Sequence, residues 1–143
     1  MSARTAFTAR VALIVLATLT WPTSALARPD RFSLDTLESL GDLTVALDTA
    51  RFARERVATI RVTNNRRGAI EGNIPACRTI FVPADAAFSR LRPSESGPFF
   101  VGPDETVRIT RPFRMIEAGK RPPANNTAYK LDEEASAEAG CKD

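Results

Sequence analysis

The stretch RERVATIRVTNN, residues 54–65, predicts the central strand of this chain. Within it, Ala58, Ile60 and Val62 fall on one face, and threonine and arginine residues fall on the other. A period of two is typical of a strand with one buried face and one solvated face. The run NNRRG at residues 64–68 then predicts a turn, because Asn and Gly tolerate left-handed backbone conformations.

Other runs extend this prediction to an all-β sandwich. The segments LTVAL (residues 43–47) and ETVRIT (105–110) alternate in the same way. The segment CRTIFV (77–82) is apolar on both faces, as a buried central strand would be. Pro112 removes a donor of the sheet ladder, so it predicts that the strand from Glu105 lies at an edge of the sheet or ends there.

A helix, a loop and a helical turn are predicted outside these strands. Residues 32–41 predict an amphipathic helix capped by Ser33 or Asp35. Leu34, Leu37 and Leu40 would form its apolar face, and Gly41 suits the left-handed position at its C-terminus. A loop or bulged edge is expected at residues 70–76, and a single helical turn at residues 84–91.

The N-terminal residues predict export. Arg4 and Arg10 precede an apolar run of 11 residues, and Ala25-Leu-Ala27 matches a signal-peptidase site. That run is shorter than the roughly 20 residues that cross a bilayer. We therefore expect a signal peptide at residues 1–27 and, after its removal, a periplasmic or secreted chain without a membrane span. The remaining chain is expected to consist of a lead-in at 28–42, a β-sandwich at 43–131 and an acidic tail at 132–143.

Cysteine, histidine and charge limit the chemistry. In an oxidising compartment, Cys77 and Cys141 are expected to form a disulfide that tethers the tail. The sequence contains no His, which removes the commonest general base and metal ligand, so we expect no enzyme and no cofactor. The net charge of +3 falls to +1 without Arg4 and Arg10, so charge predicts no nucleic-acid partner.

The segment TIRVTNN (59–65), followed by an apolar strand and then GPDETVRI (102–109), resembles the first domain of periplasmic pilus-assembly chaperones. This resemblance covers residues 43–131 and implies an immunoglobulin-like sandwich of six to seven strands. In those chaperones an early Arg helps to anchor the client's terminal carboxylate, a role that by pattern falls to Arg51. Lys130 is the candidate for the later basic residue of that anchor. Asp104 departs from the family, which has Gly at that turn position.

These observations predict a non-catalytic protein that binds another exported protein, as an assembly factor or accessory chaperone. We expect a client segment to add to the sheet edge at the strand from Glu105, with Arg108 and Arg51 facing an acidic group. Two alternatives remain. Arg78, next to Cys77, could be presented to a trypsin-like protease by an inhibitory loop, or the chain could be a hydrolase whose site has no recognisable pattern.

Overall fold

A computed structural model describes residues 32–139, so the predicted signal peptide and Cys141 lie outside the described residues. The elements in chain order are α1 (Leu34–Ser39), β1 (Leu43–Asp48), α2 (Phe52–Glu55), β2 (Val57–Asn64), β3 (Ile70–Ile74), β4 (Phe81–Pro83), β5 (Leu91–Pro93), β6 (Gly97–Val101), β7 (Thr106–Met115), β8 (Tyr129–Leu131) and α3 (Glu133–Ala139). Strands predominate and the strand ladders are antiparallel, which confirms the all-β class.

The strands form a large curled sheet and a small second sheet. The large sheet has the order β1-β2-β7-β5-β4-β8, and the small one pairs β3 with β6. Strand β8 lies close to β1, so the large sheet approaches a barrel. No ladder joins these two strands within residues 32–139.

The hydrophobic core lies on the inner faces of both sheets. Ala58, Ile60 and Val62 are at most 1% exposed, so the alternation predicted for β2 is confirmed. The rings of Phe81 and Phe113 pack with their centroids 5.9 Å apart. Burial of this apolar surface is the main force that holds the two sheets together.

Asn64 closes one end of the core. The sequence predicts a turn residue there, but Asn64 is the last residue of β2 and is only 2% exposed. Its Nδ2 donates to the carbonyls of Gly68 at 2.8 Å and Gly102 at 2.9 Å, and its Oδ1 accepts from the Arg66 amide at 2.8 Å. One buried side chain therefore joins the turn after β2 to the turn that precedes β7.

Gly72 allows β3 to pack against β6. A Cβ at this position would lie 2.6 Å from the Phe32 carbonyl oxygen and 2.6 Å from Cζ of Phe99. The Phe99 ring, which is buried, occupies the space that a larger residue at position 72 would need. Residues 70–76, expected to form a loop or bulged edge, thus contain a regular strand.

Three further expectations differ from the structure. The predicted strand at 77–82 shrinks to β4, because the amides of Arg78 and Thr79 donate to the Pro75 carbonyl and form a turn. Residues 84–91 contain one hydrogen-bonded turn, in which the Phe88 amide donates to the Asp85 carbonyl at 3.2 Å, but no helix, and they lead into β5. Leu40 is 67% exposed, because α1 ends one residue earlier and Gly41 adopts a φ of 77°.

The two terminal helices differ in how well they were predicted. Helix α1 begins after Ser33 as expected, although the Ser33 side chain bonds Thr36 Oγ1 at 2.9 Å and caps no backbone amide. Most of the acidic run after residue 131 forms α3, where buried Ser136 accepts a hydrogen bond of 3.0 Å from the Ile80 amide. This bond docks α3 onto the segment that leads into β4.

Candidate functional site

Strand β7 has different neighbours along its length. On one side, β2 pairs with β7 from Thr106 to Pro112. On the other side, β5 pairs only with Phe113, Arg114 and Met115. Residues 106–111 therefore have a strand on one side only, and we call their unpaired side the open edge.

The hydrogen bonds of the β2–β7 ladder show which backbone groups face the open edge. The Asn64 amide donates to the Glu105 carbonyl, so the odd-numbered residues of β7 face β2. Thr106, Arg108 and Thr110 consequently direct their N–H and C=O groups to the other side. Among the described residues, no group pairs with these six backbone atoms.

Pro112 marks where the open edge stops. The sequence predicts that the strand ends at this proline or lies at an edge, but β7 continues to Met115. The Pro112 carbonyl accepts a hydrogen bond of 2.8 Å from the Ser94 amide, just beyond the end of β5. Of the two alternatives, the strand thus does not end at Pro112, and its unpaired side lies before the proline.

Side chains on both faces of β7 flank the open edge. Val107 and Ile109 are half-buried and point inward, whereas Arg108 is exposed. Arg111, on the inward face, reaches the Pro98 carbonyl at 3.5 Å. The guanidinium lies over Gly97, where a Cβ would be 2.8 Å from Nη2.

Sequence patterns did not identify Arg111 as part of a site, nor Phe100 as an exposed residue. Arg111 was detectable in principle, because it occupies an inward position of an alternating strand where an apolar residue is the rule. Phe100, on β6, is 63% exposed, a large apolar side chain in contact with water. Its neighbour Phe99 is buried, and because both residues are phenylalanine, no alternation in the sequence shows which of the two faces the core.

The structure does not bring together the three predicted binding residues. Arg51 immediately precedes α2 and forms an exposed ion pair with Glu55. Lys130 projects outward from β8 and lines a groove of about 680 Å³, whereas Arg51 lines a different depression beside α2. Arg108 lies on β7 and lines neither of these two cavities.

The groove at Lys130 is acidic. Desolvation by burial, followed by the charge of Glu133, raises the pKa of Glu38 to about 7, against lowering contributions from the Val45 amide and Lys130. Burial likewise raises the pKa of Tyr129 to about 12, and its hydroxyl donates to the Ser89 carbonyl at 2.7 Å. Lys130 therefore faces carboxylates of its own chain, which competes with the anchoring of a client carboxylate.

Arg78 is not presented as an inhibitory loop requires. Its Nη2 donates to Asp35 Oδ2 at 2.9 Å, and the two side chains are 15% and 4% exposed. Withdrawing Arg78 would leave a buried carboxylate unpaired, which is strongly destabilising. Cys77 lies in the turn after β3, while Cys141 lies outside the described residues, so the Cys77–Cys141 bond stays a prediction.

Within residues 32–139 we find no cluster of three or more His, Cys, Asp or Glu side chains able to hold a metal ion. No helix in the same residues has the length and apolar character needed to span a membrane. Comparisons with protein families, curated proteins and solved structures found no match.

Proposed function

We propose that this protein binds an extended segment of another exported protein along the open edge of β7, and that it does so without catalysis. The observation that supports this proposal is the set of unpaired backbone groups on Thr106, Arg108 and Thr110. An incoming strand would satisfy these groups with main-chain hydrogen bonds, while side chains on its two faces would provide specificity.

We infer that the two sheets form an immunoglobulin-like sandwich. In the small sheet, strand β6 contacts β2 and β7 of the large sheet. Two packed antiparallel sheets with an edge at β7 support an immunoglobulin-like sandwich. A role as an assembly factor or accessory chaperone is consistent with such an edge.

The flanking side chains define the expected partner. Residues of the partner strand beside Val107 and Ile109 would be apolar, because both side chains are half-buried and face the core. The partner residue beside Arg108 would be acidic, because the exposed guanidinium forms no ion pair with the described residues.

The same arginine disfavours pairing of two copies of this chain through their open edges. An antiparallel pair of β7 strands centred on Arg108 would place two like charges opposite each other, which is destabilising. Inward-pointing Arg111 is a second feature of the kind that protects exposed edges from self-association. The open edge therefore disfavours pairing with a second copy of β7 and favours a partner strand with an acidic residue beside Arg108.

Peptide binding tests this function directly. A blocked, extended peptide with the pattern Thr-Val-Glu-Val-Thr should bind, and the same peptide with Lys in the centre should not. Arg108→Ala should weaken binding by about 1–3 kcal/mol, because a charged interfacial contact is lost. Arg108→Pro should abolish it, because the N–H at the centre of the open edge is lost as well.

Matched variants complete the experiment. Arg67→Ala removes an exposed arginine from the turn after β2 and should leave binding unchanged. Arg51→Ala tests the anchor implied by the chaperone resemblance, and we expect a smaller effect than at Arg108 because Arg51 already pairs with Glu55. Equal binding of the peptide by the wild type, Arg108→Ala and Arg108→Pro would show that the edge is not the binding site.

A further inference from the structure

Two arginines stand directly opposite each other on the outer face of the sheet. Arg61 of β2 is in register with Arg108 of β7. Because the neighbouring pairs carry the ladder hydrogen bonds, Arg61 and Arg108 form a non-hydrogen-bonded pair, whose Cα atoms are typically about 4.5 Å apart. Like charges at such positions destabilise a sheet, so this pair is costly for folding alone.

A second opposed pair lies farther along the same face of β7. Arg92 of β5 is in register with Arg114 of β7. Arg108 and Arg114 are six residues apart, which places the two pairs about 20 Å from each other along the strand. We call Arg61, Arg92, Arg108 and Arg114 the arginine face.

The arginine face lacks neutralising carboxylates. None of its four side chains forms an ion pair with another described residue. Asp48, on the strand beside Arg61, instead accepts the amide of Ala50 at 2.9 Å. At the other pair, Arg92 is half-buried and its Nε is inaccessible and has no hydrogen-bond partner, whereas Arg114 is exposed. The exposed guanidinium groups of Arg61, Arg108 and Arg114 are therefore available to an external anion, and Arg92 adds positive charge beside Arg114.

Threonine pairs border the first arginine pair. The hydroxyls of Thr63 and Thr106 lie 2.9 Å apart on one side, and those of Thr59 and Thr110 lie 2.9 Å apart on the other. These bonds order the side chains across β2 and β7. The result is a regular outer surface of hydroxyl and guanidinium groups.

We infer that the arginine face binds an acidic polysaccharide, a polymer whose sulfate or carboxylate groups can reach both arginine pairs. Guanidinium groups match the geometry of such oxyanions, and the threonine hydroxyls suit contacts to sugar hydroxyls. The face contains no aromatic ring on which the bases of a single-stranded nucleic acid could stack. It also carries no large exposed apolar side chain for insertion into a membrane.

The test measures polymer binding by calorimetry at low and moderate salt. Heparin serves as the sulfated probe and polygalacturonate as the carboxylated one, with neutral dextran as the blank. Oligothymidylate and polyglutamate represent the two competing classes of polyanion. Binding of at least one acidic polysaccharide should weaken by about tenfold or more from about 50 to 200 mM NaCl, because bound counterions are released.

Two double variants should each reduce this affinity by about tenfold or more, namely Arg61→Gln with Arg108→Gln, and Arg92→Gln with Arg114→Gln. The control, Arg54→Gln with Arg67→Gln, makes the same charge change at exposed positions outside the face and should have little effect. Because removal of opposed like charges relieves repulsion, both face variants should melt no lower than the wild type.

Equal losses in the control and face variants would overturn the assignment, because binding would then follow net charge. Absence of polysaccharide binding at low salt, or tighter binding of oligothymidylate or polyglutamate, would overturn the ligand class. The Arg92 and Arg114 variant leaves the open edge intact, so its loss of polysaccharide binding is distinguishable from any failure of peptide binding at that edge.

Discussion

Replacing Asn64 by alanine should lower the free energy of unfolding by more than the same replacement at its neighbour Asn65. The side chain shares its two N–H donors among the carbonyls of Gly68, Gly102 and Val101, at 2.8, 2.9 and 3.3 Å. Its Oδ1 also accepts from the Arg66 amide. Alanine would leave buried carbonyls unpaired, and two to three lost bonds at about 1 kcal/mol each give about 2–3 kcal/mol.

The neighbouring residue supplies the control. Asn65 is exposed, and its Nδ2 donates to Thr44 Oγ1 at 2.9 Å and to the Gly41 carbonyl at 3.3 Å. Water can replace both partners, so Asn65→Ala should cost less than about 1 kcal/mol. Urea unfolding followed by circular dichroism measures both free energies of unfolding, and the melting temperature of Asn64→Ala should fall by about 10 °C.

The consequence of Asn64→Ala also reaches the proposed site. Asn64 holds the Gly102 carbonyl, and the Glu105 carboxylate accepts the Gly102 amide at 2.8 Å in the turn that leads into β7. Loosening this turn should weaken peptide binding at the open edge. If Asn64→Ala costs no more than Asn65→Ala, the buried amide does not hold the two turns together and the reasoning is wrong.

Four further predictions concern stability and processing. Gly72→Ala should destabilise the fold by about 1–3 kcal/mol, because the added Cβ would overlap Phe99 and the Phe32 carbonyl. Gly68→Ala should not, because the space around its Cβ position is open. Unfolding curves of the two variants measure both costs, and equal costs would contradict the prediction. The pKa of Glu38 is about 7 in the folded state against an ordinary value of 4.5, so the folded state binds the proton more tightly and stability should fall as pH rises from 4.5 to 7. Melting temperatures measured at several pH values should depend less on pH for Glu38→Gln than for the wild type. Identical pH profiles of the two proteins would refute the raised pKa. Reduction should lower the melting temperature by releasing the Cys77–Cys141 loop, while two titratable thiols in the unfolded, unreduced protein would exclude the bond. Exported material should have the intact mass of a chain that begins at Arg28, and a retained N-terminus in the membrane fraction would exclude the signal peptide.

The strands that could be predicted from the sequence are those with long alternating runs of apolar and polar residues. Residues 43–47, 57–63 and 105–110 each contain enough inward and outward positions to define a period of two, and β1, β2 and β7 follow them. Strands β4 and β5 have three residues each, too few to show a period. Prolines at positions 83 and 93 also suggest loops at places where these short strands end.

For the candidate site, the sequence predicts an edge strand with exposed arginines, but neither the extent of the edge nor the residues that face each other across it. Pro112 and the charged outer face of β7 indicate an edge, but the extent of that edge depends on the short β5 strand, which covers β7 only after Pro112. The opposed pair of Arg61 and Arg108 depends on the register between two strands that are distant in sequence. Register is fixed by the packing of the inner faces, so the outward pairing follows from contacts that no local pattern contains.

Residue-resolved amide hydrogen exchange tests the open edge most directly. In the free protein, the amides of Val107 and Ile109 should exchange slowly because they donate to β2, whereas those of Thr106, Arg108 and Thr110 should exchange quickly. On addition of the Thr-Val-Glu-Val-Thr peptide, those three amides should become protected together. Slow exchange of all five amides in the free protein, or unchanged fast exchange at Thr106, Arg108 and Thr110 with saturating bound peptide, would contradict the proposal that this edge receives a partner strand.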